Sequence, residues 1–122
     1  MDSENPIDLF FARYPPNTVS IRKSAAGTNL FLTGSLDLQY SRDLQNLLLW
    51  LVDKQDGLTA IIVDLEHVNY ISSTGVGALA AAMISARKRD LPFKLRNIQP
   101  KVRSVFELLG LMKFFEEART NE

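Results

Sequence analysis

Between Asp64 and Gly77 the chain reads Asp-Leu-Glu-His-Val-Asn-Tyr-Ile-Ser-Ser-Thr-Gly-Val-Gly. Three consecutive hydroxyl residues, Ser72, Ser73 and Thr74, stand before a run of small and apolar residues. A helix N-terminus leaves backbone N–H groups unpaired and carries a partial positive charge. Hydroxyls placed there have two uses. They cap the helix by accepting from its N–H groups, or they carry a phosphate, which such a position tolerates well. Gly75 and Gly77 weaken a first turn by roughly 1 kcal/mol each against Ala. What they give in return is access, because another surface can approach a backbone that has no side chains. On spacing alone, Ser72 and Ser73 remain open between capping and modification.

The elements that position this segment follow from periodicity. Val19 and Ile21 alternate with Ser20 and Arg22, which predicts a strand over 18–23. Ala25-Ala26-Gly27 reads as a turn, and 29–33 as a second strand completing a hairpin. Gly34-Ser35-Leu36-Asp37 is then expected as a loop. Leu44, Leu47, Leu48, Leu51 and Val52 form one apolar helical stripe within 41–54, with Ser41 as expected N-cap. The β-branched run 59–65 suits a central strand covered on both faces, followed by a short connection. A helix over 73–88 carries Val76, Leu79, Ala80, Met83 and Ile84 inward. A strand lies within 92–98. Pro100 opens a third helix with the stripe Val102, Val105, Phe106 and Leu109, and Gly110 suits the position just past its end. The segment 111–115 is either a short strand or a packed tail. Phe114 and Phe115 are expected to be packed. Residues 1–16 stand apart as an N-terminal strap, or else a partner-binding segment, closed by Pro15-Pro16, and 17–122 form one domain. The fold class is α/β: an N-terminal hairpin, then strand–helix alternation, giving a mixed sheet of four to five strands with helices packed against it.

Composition narrows the chemistry. The chain has 122 residues, no Cys, and equal numbers of acidic and basic side chains, 14 of each. Without Cys there is no disulfide framework, thiolate metal site or cysteine nucleophile. Zero net charge gives no long-range pull toward nucleic acid or an anionic membrane, and neither partner is expected. The apolar runs 47–52 and 78–84 are far short of the ~20 residues of a membrane helix. The opening Met-Asp-Ser-Glu-Asn-Pro has no basic n-region, so no signal peptide is expected and a cytoplasmic location is. His67 is the only His, and one imidazole without a carboxylate pair makes no metal site. No cofactor is expected. Paired catalytic carboxylates, a nucleophile–base pair and a Walker-type loop are all missing, so the chain does not read as an enzyme.

Three further groups carry two readings each. Asp37 either caps the following helix or contacts a partner. Asp64, at the expected end of its strand, either orients the serine loop or faces solvent. Arg87-Lys88-Arg89 are either an anion patch or a complement to the helix C-terminal dipole.

Tyr-Ile-Ser-Ser-Thr-Gly-Val-Gly, after a strand of the type Ile-Ile-Val-Asp-Leu, resembles the phosphorylation loop of the STAS domain, the fold of bacterial anti-sigma factor antagonists. Gly34-Ser35-Leu36-Asp37 matches the family's Gly-x-Leu-Asp loop. The stretch 100–111 is similar to its last helix, closing Gly and short strand. The resemblance covers about 18–115. It implies a switch protein that binds an anti-sigma factor, itself a serine kinase of the histidine-kinase-like ATPase fold. Phosphorylation would break that complex and a metal-dependent serine phosphatase would restore it. Aligned on Gly75, the phosphoacceptor falls on Ser73, with Ser72 and Thr74 as lesser candidates. Asp37, Ser72, Ser73, Thr74, Gly75, Val76 and Gly77 are the expected partner-binding residues, on a monomer or weak dimer. The family's usual Asp before the acceptor is here Ser72, a departure that bears on how the loop meets its kinase. STAS domains also serve as subunits of lipid-transport assemblies and signalling scaffolds without phosphoregulation. A flavin or nucleotide binder is a further alternative, since Ser-Ser-Thr-Gly-Val-Gly also looks like a flavodoxin phosphate loop. That loop, however, normally follows the first strand.

Overall fold

A computed structural model describes residues 6–54 and 57–119. Its elements in chain order are α1 (Pro6–Arg13), β1 (Val19–Ser24), β2 (Gly27–Leu36), α2 (Leu38–Lys54), β3 (Ile61–Ile71), α3 (Ser73–Lys88), β4 (Phe93–Arg96), α4 (Pro100–Leu108), a 3-10 turn (Met112–Phe114) and β5 (Glu116–Glu117). The five strands form one sheet in the order β1-β2-β3-β4-β5. The β1–β2 hairpin is antiparallel, and β2–β3, β3–β4 and β4–β5 are parallel. This is the expected mixed α/β architecture. Ile61, Ile62 and Val63 on β3 are all buried, as a strand covered on both faces requires.

Two strands are longer than periodicity predicts. Gly34, Ser35 and Leu36 belong to β2 rather than to a loop, and the expected connection after Leu65 is the second half of β3. The cause is bulging. From Phe31 to Thr33, β2 advances two residues while its β3 partners advance three, from Asp64 to His67. From Gly34 to Ser35 it advances one while β3 advances two, from Val68 to Tyr70. Each extra residue flips the side-chain alternation. Leu65, Val68 and Ile71 are therefore all buried at a spacing of three, a pattern that does not read as a strand.

The helix ends correct further expectations. Ser41 is not an N-cap: it lies buried inside α2, and its N–H donates to the Asp37 carbonyl at 2.9 Å. α4 closes as expected. Gly110 takes φ +72°, its N–H donates to Glu107 O, and Leu111 N–H donates to Phe106 O, which together make a Schellman turn. α3 closes the same way with Asp90 in the left-handed position. Ile84 and Leu109 are exposed rather than inward, and Phe114 is exposed while Phe115 packs edge-on against Phe106 at 5.3 Å. The segment 111–115 forms the 3-10 turn, and the short strand comes after it. In residues 6–16, Phe10 is buried against Tyr14 and Tyr40.

Candidate functional site

Parallel pairing of β2 and β3 sets Leu36 opposite Ile71. Both strands end there, and each leads into a helix, α2 after Asp37 and α3 after Ser72. Two helix N-termini thus lie side by side at one end of the sheet. Parallel strands followed by helices produce this arrangement wherever they occur, because each connection starts at the strands' C-terminal ends.

Ser72 is the N-cap of α3. Its Oγ accepts from Gly75 N–H at 3.1 Å and donates to the Leu36 carbonyl at 2.9 Å, and its own N–H donates to the same carbonyl at 3.0 Å. One hydroxyl therefore satisfies a helix donor and ties α3 to the end of β2. A carboxylate, which only accepts, would do the first and not the second. Gly75 is required by closeness rather than by dihedral angle. A Cβ on it would lie 2.7 Å from Ile71 Cγ1 and 3.1 Å from the Leu36 carbonyl oxygen. Gly77 instead faces open space.

Ser73 is the first helical residue and is exposed, whereas Ser72 and Thr74 are half-buried and Gly75 and Val76 are buried. The N–H groups of Ser73 and Thr74 have no acceptor within the helix, since the first intrahelical bond is Val76 N–H to Ser72 O. From Asn69 to Gly77 the chain carries no charged side chain. The exposed hydroxyl of Ser73 therefore stands in the positive end of the α3 dipole with nothing charged in its own loop.

Asp37 performs the capping role. Its Oδ1 accepts from Tyr40 N–H at 3.1 Å, and its side chain is exposed at the same end of the sheet. Leu38 and Tyr70, both more than half exposed, also stand at this end. Sequence reading passed over them. The signal was an apolar residue directly after a cap, and an aromatic one residue short of the serines. It also passed over Leu36, whose contribution is a backbone carbonyl and so leaves no side-chain trace.

The structure places the remaining candidates elsewhere. Asp64 neither ends its strand nor faces solvent. It is buried in the middle of β3, where one oxygen accepts from Arg96 Nε at 2.9 Å and Asn97 Nδ2 at 3.0 Å, and the other from Glu66 N–H at 2.9 Å. The Arg96 guanidinium also lies 5.4 Å from the Phe31 ring centre. This network fastens β3 to β4, and Gln99, which donates to Glu66 O, extends it to the start of α4. Arg87 donates to Phe114 O and Arg89 pairs with Asp53. His67 is exposed on β3. Among the described residues no group of three or more His, Asp or Glu could hold a metal ion, and no helix is long and apolar enough to cross a membrane.

Known proteins share this fold. The family profile described as "Mlab, STAS domain" matches residues 19–116. An anti-sigma-B factor antagonist of Staphylococcus aureus is 30% identical over 78 residues, which cover 64% of this chain and 70% of that protein. The anti-sigma factor antagonist SpoIIAA in its unphosphorylated form superposes with a TM-score of 0.69 at 23% identity, covering 82% of this chain and 87% of its own. The Bacillus cell fate determinant SpoIIAA in the phosphorylated form superposes with a TM-score of 0.63 at 23% identity, covering 82% and 90%.

Proposed function

The chain belongs to the STAS-domain family of bacterial anti-sigma factor antagonists, and on that premise we propose that it is a partner switch controlled by phosphorylation of Ser73. Unphosphorylated, it binds an anti-sigma factor that is also a serine kinase of the histidine-kinase-like ATPase fold. The kinase moves the γ-phosphoryl group of ATP to Ser73 Oγ, the hydroxyl proton leaves, and ADP is released. The complex then parts, and a metal-dependent serine phosphatase resets the switch. The protein performs no chemistry of its own.

The observation that carries this reading is the division of labour between neighbouring serines. Ser72 is committed to Leu36 and Gly75, while Ser73 is exposed at the first helical position. Ser72 therefore suits a structural task and Ser73 a transferable one. A phosphate on Ser73 adds about −1.5 to −2 charges at neutral pH. The unpaired N–H groups and the dipole of α3 accommodate that charge. Its effect falls on the partner's approach over Asp37, Leu38, Tyr70, Ser73 and Gly77, by bulk and repulsion, with the sheet left intact.

The test is capture from the source organism's lysate with three baits: wild type, Ser73→Ala and Ser73→Asp. The expected result is one histidine-kinase-like ATPase on wild type and Ser73→Ala that is lost on Ser73→Asp. Recovery of transporter subunits, or of the same partners on all three baits, would overturn the reading in favour of a scaffold without phosphoregulation.

A further inference from the structure

Residues 6–16 precede the segment that the family profile covers, yet they are fastened to the helix that leads into the candidate site. α1 grips α2 in two ways. Phe10, buried, stacks on Tyr14 with ring centres 4.4 Å apart, and the two rings lie 6.0 and 5.5 Å from Tyr40. Beside them Asp43 accepts from Tyr14 Oη at 2.6 Å, from Arg13 Nη1 at 3.0 Å to each oxygen, and from Gln39 Nε2 at 3.2 Å. Ile7 and Phe11, half-buried, pack on the core as well, and the outer side of the seam is open. Leu9 is half exposed, and a groove of about 380 Å³ runs between α1 and α2 past Pro6, Asn46 and Leu49.

Tyr40 joins this grip to the site. Its ring is the seat of Phe10 and Tyr14, its hydroxyl donates to Thr18 O at 3.1 Å, and its N–H is the donor that Asp37 Oδ1 accepts. We propose that α1 is a releasable strap, latched at Asp43, that sets the order of the first turn of α2 and with it the Asp37 edge of the docking face. The proposal rests on the reading of that face given above. A short helix held by one fully buried aromatic, three half-buried side chains and the half-buried Asp43 opens before the core of the sheet does. Its release frees Tyr40 and loosens the turn that Asp37 caps.

Amide exchange followed by NMR on the full chain tests the coupling, using Phe10→Ala and the milder Tyr14→Phe, both on the strap and neither on α2. Protection at Tyr40 and Ser41, whose N–H groups bond Asp37, should fall roughly tenfold in the first and about threefold in the second. Protection at Gly75, Val76, Leu30 and Val63 should hold within about twofold. Unchanged exchange at Tyr40 and Ser41, or an equal loss at all six amides in Tyr14→Phe, would overturn the proposal. Where Phe10→Ala fails to fold, Tyr14→Phe decides. Neither Ser73 nor a kinase enters the measurement, so its failure and that of the phosphorylation reading are separable.

Discussion

Two helix N-termini stand at the same end of the sheet and are capped by different chemistry. α2 is capped by a carboxylate, Asp37, which accepts from Tyr40 N–H and leaves its charge in solvent. α3 is capped by a hydroxyl, Ser72, which accepts from Gly75 N–H and also donates to Leu36 O. The first cap serves one helix. The second joins a helix to a neighbouring strand and adds no charge beside Ser73. The departure from the family's usual Asp thus has a physical account. At position 72 the hydroxyl adds a second donor to the Leu36 carbonyl, which the Ser72 N–H already bonds, whereas a carboxylate there would set negative charge beside both that oxygen and any phosphate on Ser73.

The comparison breaks most severely at Gly75. Gly75→Ala puts a methyl 2.7 Å from Ile71 Cγ1 and 3.1 Å from Leu36, so α3 or Ile71 must move and the contact with Leu36 must loosen. The expected loss is about 1–3 kcal/mol in denaturant unfolding. Gly77→Ala, one turn position away in open space, should gain roughly 0.5–1 kcal/mol. If the two variants behave alike, the tight seam at Leu36 is not what Gly75 serves.

Ser72 sharpens the contrast further. Ser72→Ala should cost about 0.5–2 kcal/mol through the lost cap. Ser72→Asp restores an acceptor for Gly75 N–H but not the second, hydroxyl donor to Leu36 O, and should remain about 1 kcal/mol below wild type. Equal stability of Ser72→Asp and wild type, by thermal or urea melts, would remove the special role of the hydroxyl. On the other cap, Asp37→Ala should cost roughly 1 kcal/mol, and Asp37→Asn, which retains the acceptor, only a few tenths.

The smallest effect is a pH dependence on the α1 side. Burial works against the charged form of Asp43, but hydrogen bonds from Tyr14, Gln39 and Arg13, with the charge of Arg13, outweigh it and hold the carboxyl below its ordinary range. A depressed folded-state value means that this contribution is complete above about pH 4, the unfolded carboxylate's range, and is lost as pH falls through the lower folded value. Tyr14 runs the opposite way. Burial, with the hydrogen bond to Asp43 and its charge, raises its phenol to about 12, so its contribution is complete below the ordinary 10 and is lost as pH rises through about 12. Melting curves of wild type and Tyr14→Phe should therefore converge at both extremes. A difference that is constant from pH 2 to 12.5 would contradict the Asp43 latch.

The order of elements from β1 to α4 was legible in the sequence because four stretches carry a plain local signal, whereas α1 was read only as a strap. The leucine stripe of α2, the β-branched start of β3, the Ser-to-Lys span of α3 and the Pro100-to-Gly110 frame of α4 all needed only local pattern. What was hidden had non-local causes. The second half of β3 is disguised by two bulges that reset the alternation at His67 and Tyr70. Leu36 was assigned to a loop because its partners, Ile71 and the Ser72 hydroxyl, lie 35 and 36 residues away. Asp64 was misplaced for the same reason, since Arg96, which neutralises it from the next strand, and Asn97, which donates to it from just past that strand, lie 32 and 33 residues away. In the site, the serine run and Asp37 were visible as residue types. Which serine caps and which stands free was decided by the carbonyl of Leu36, which no pattern of side chains announces.

The central claim is that Ser73, not its neighbours, receives the phosphate. The most direct measurement is to incubate the purified chain with the captured ATPase and Mg-ATP and to map the modified residue by mass spectrometry, with Ser72→Ala and Ser73→Ala alongside. The account predicts one phosphate on Ser73 in wild type and in Ser72→Ala, and none in Ser73→Ala. A phosphate on Ser72 or Thr74 in wild type, or undiminished labelling of Ser73→Ala, would contradict it.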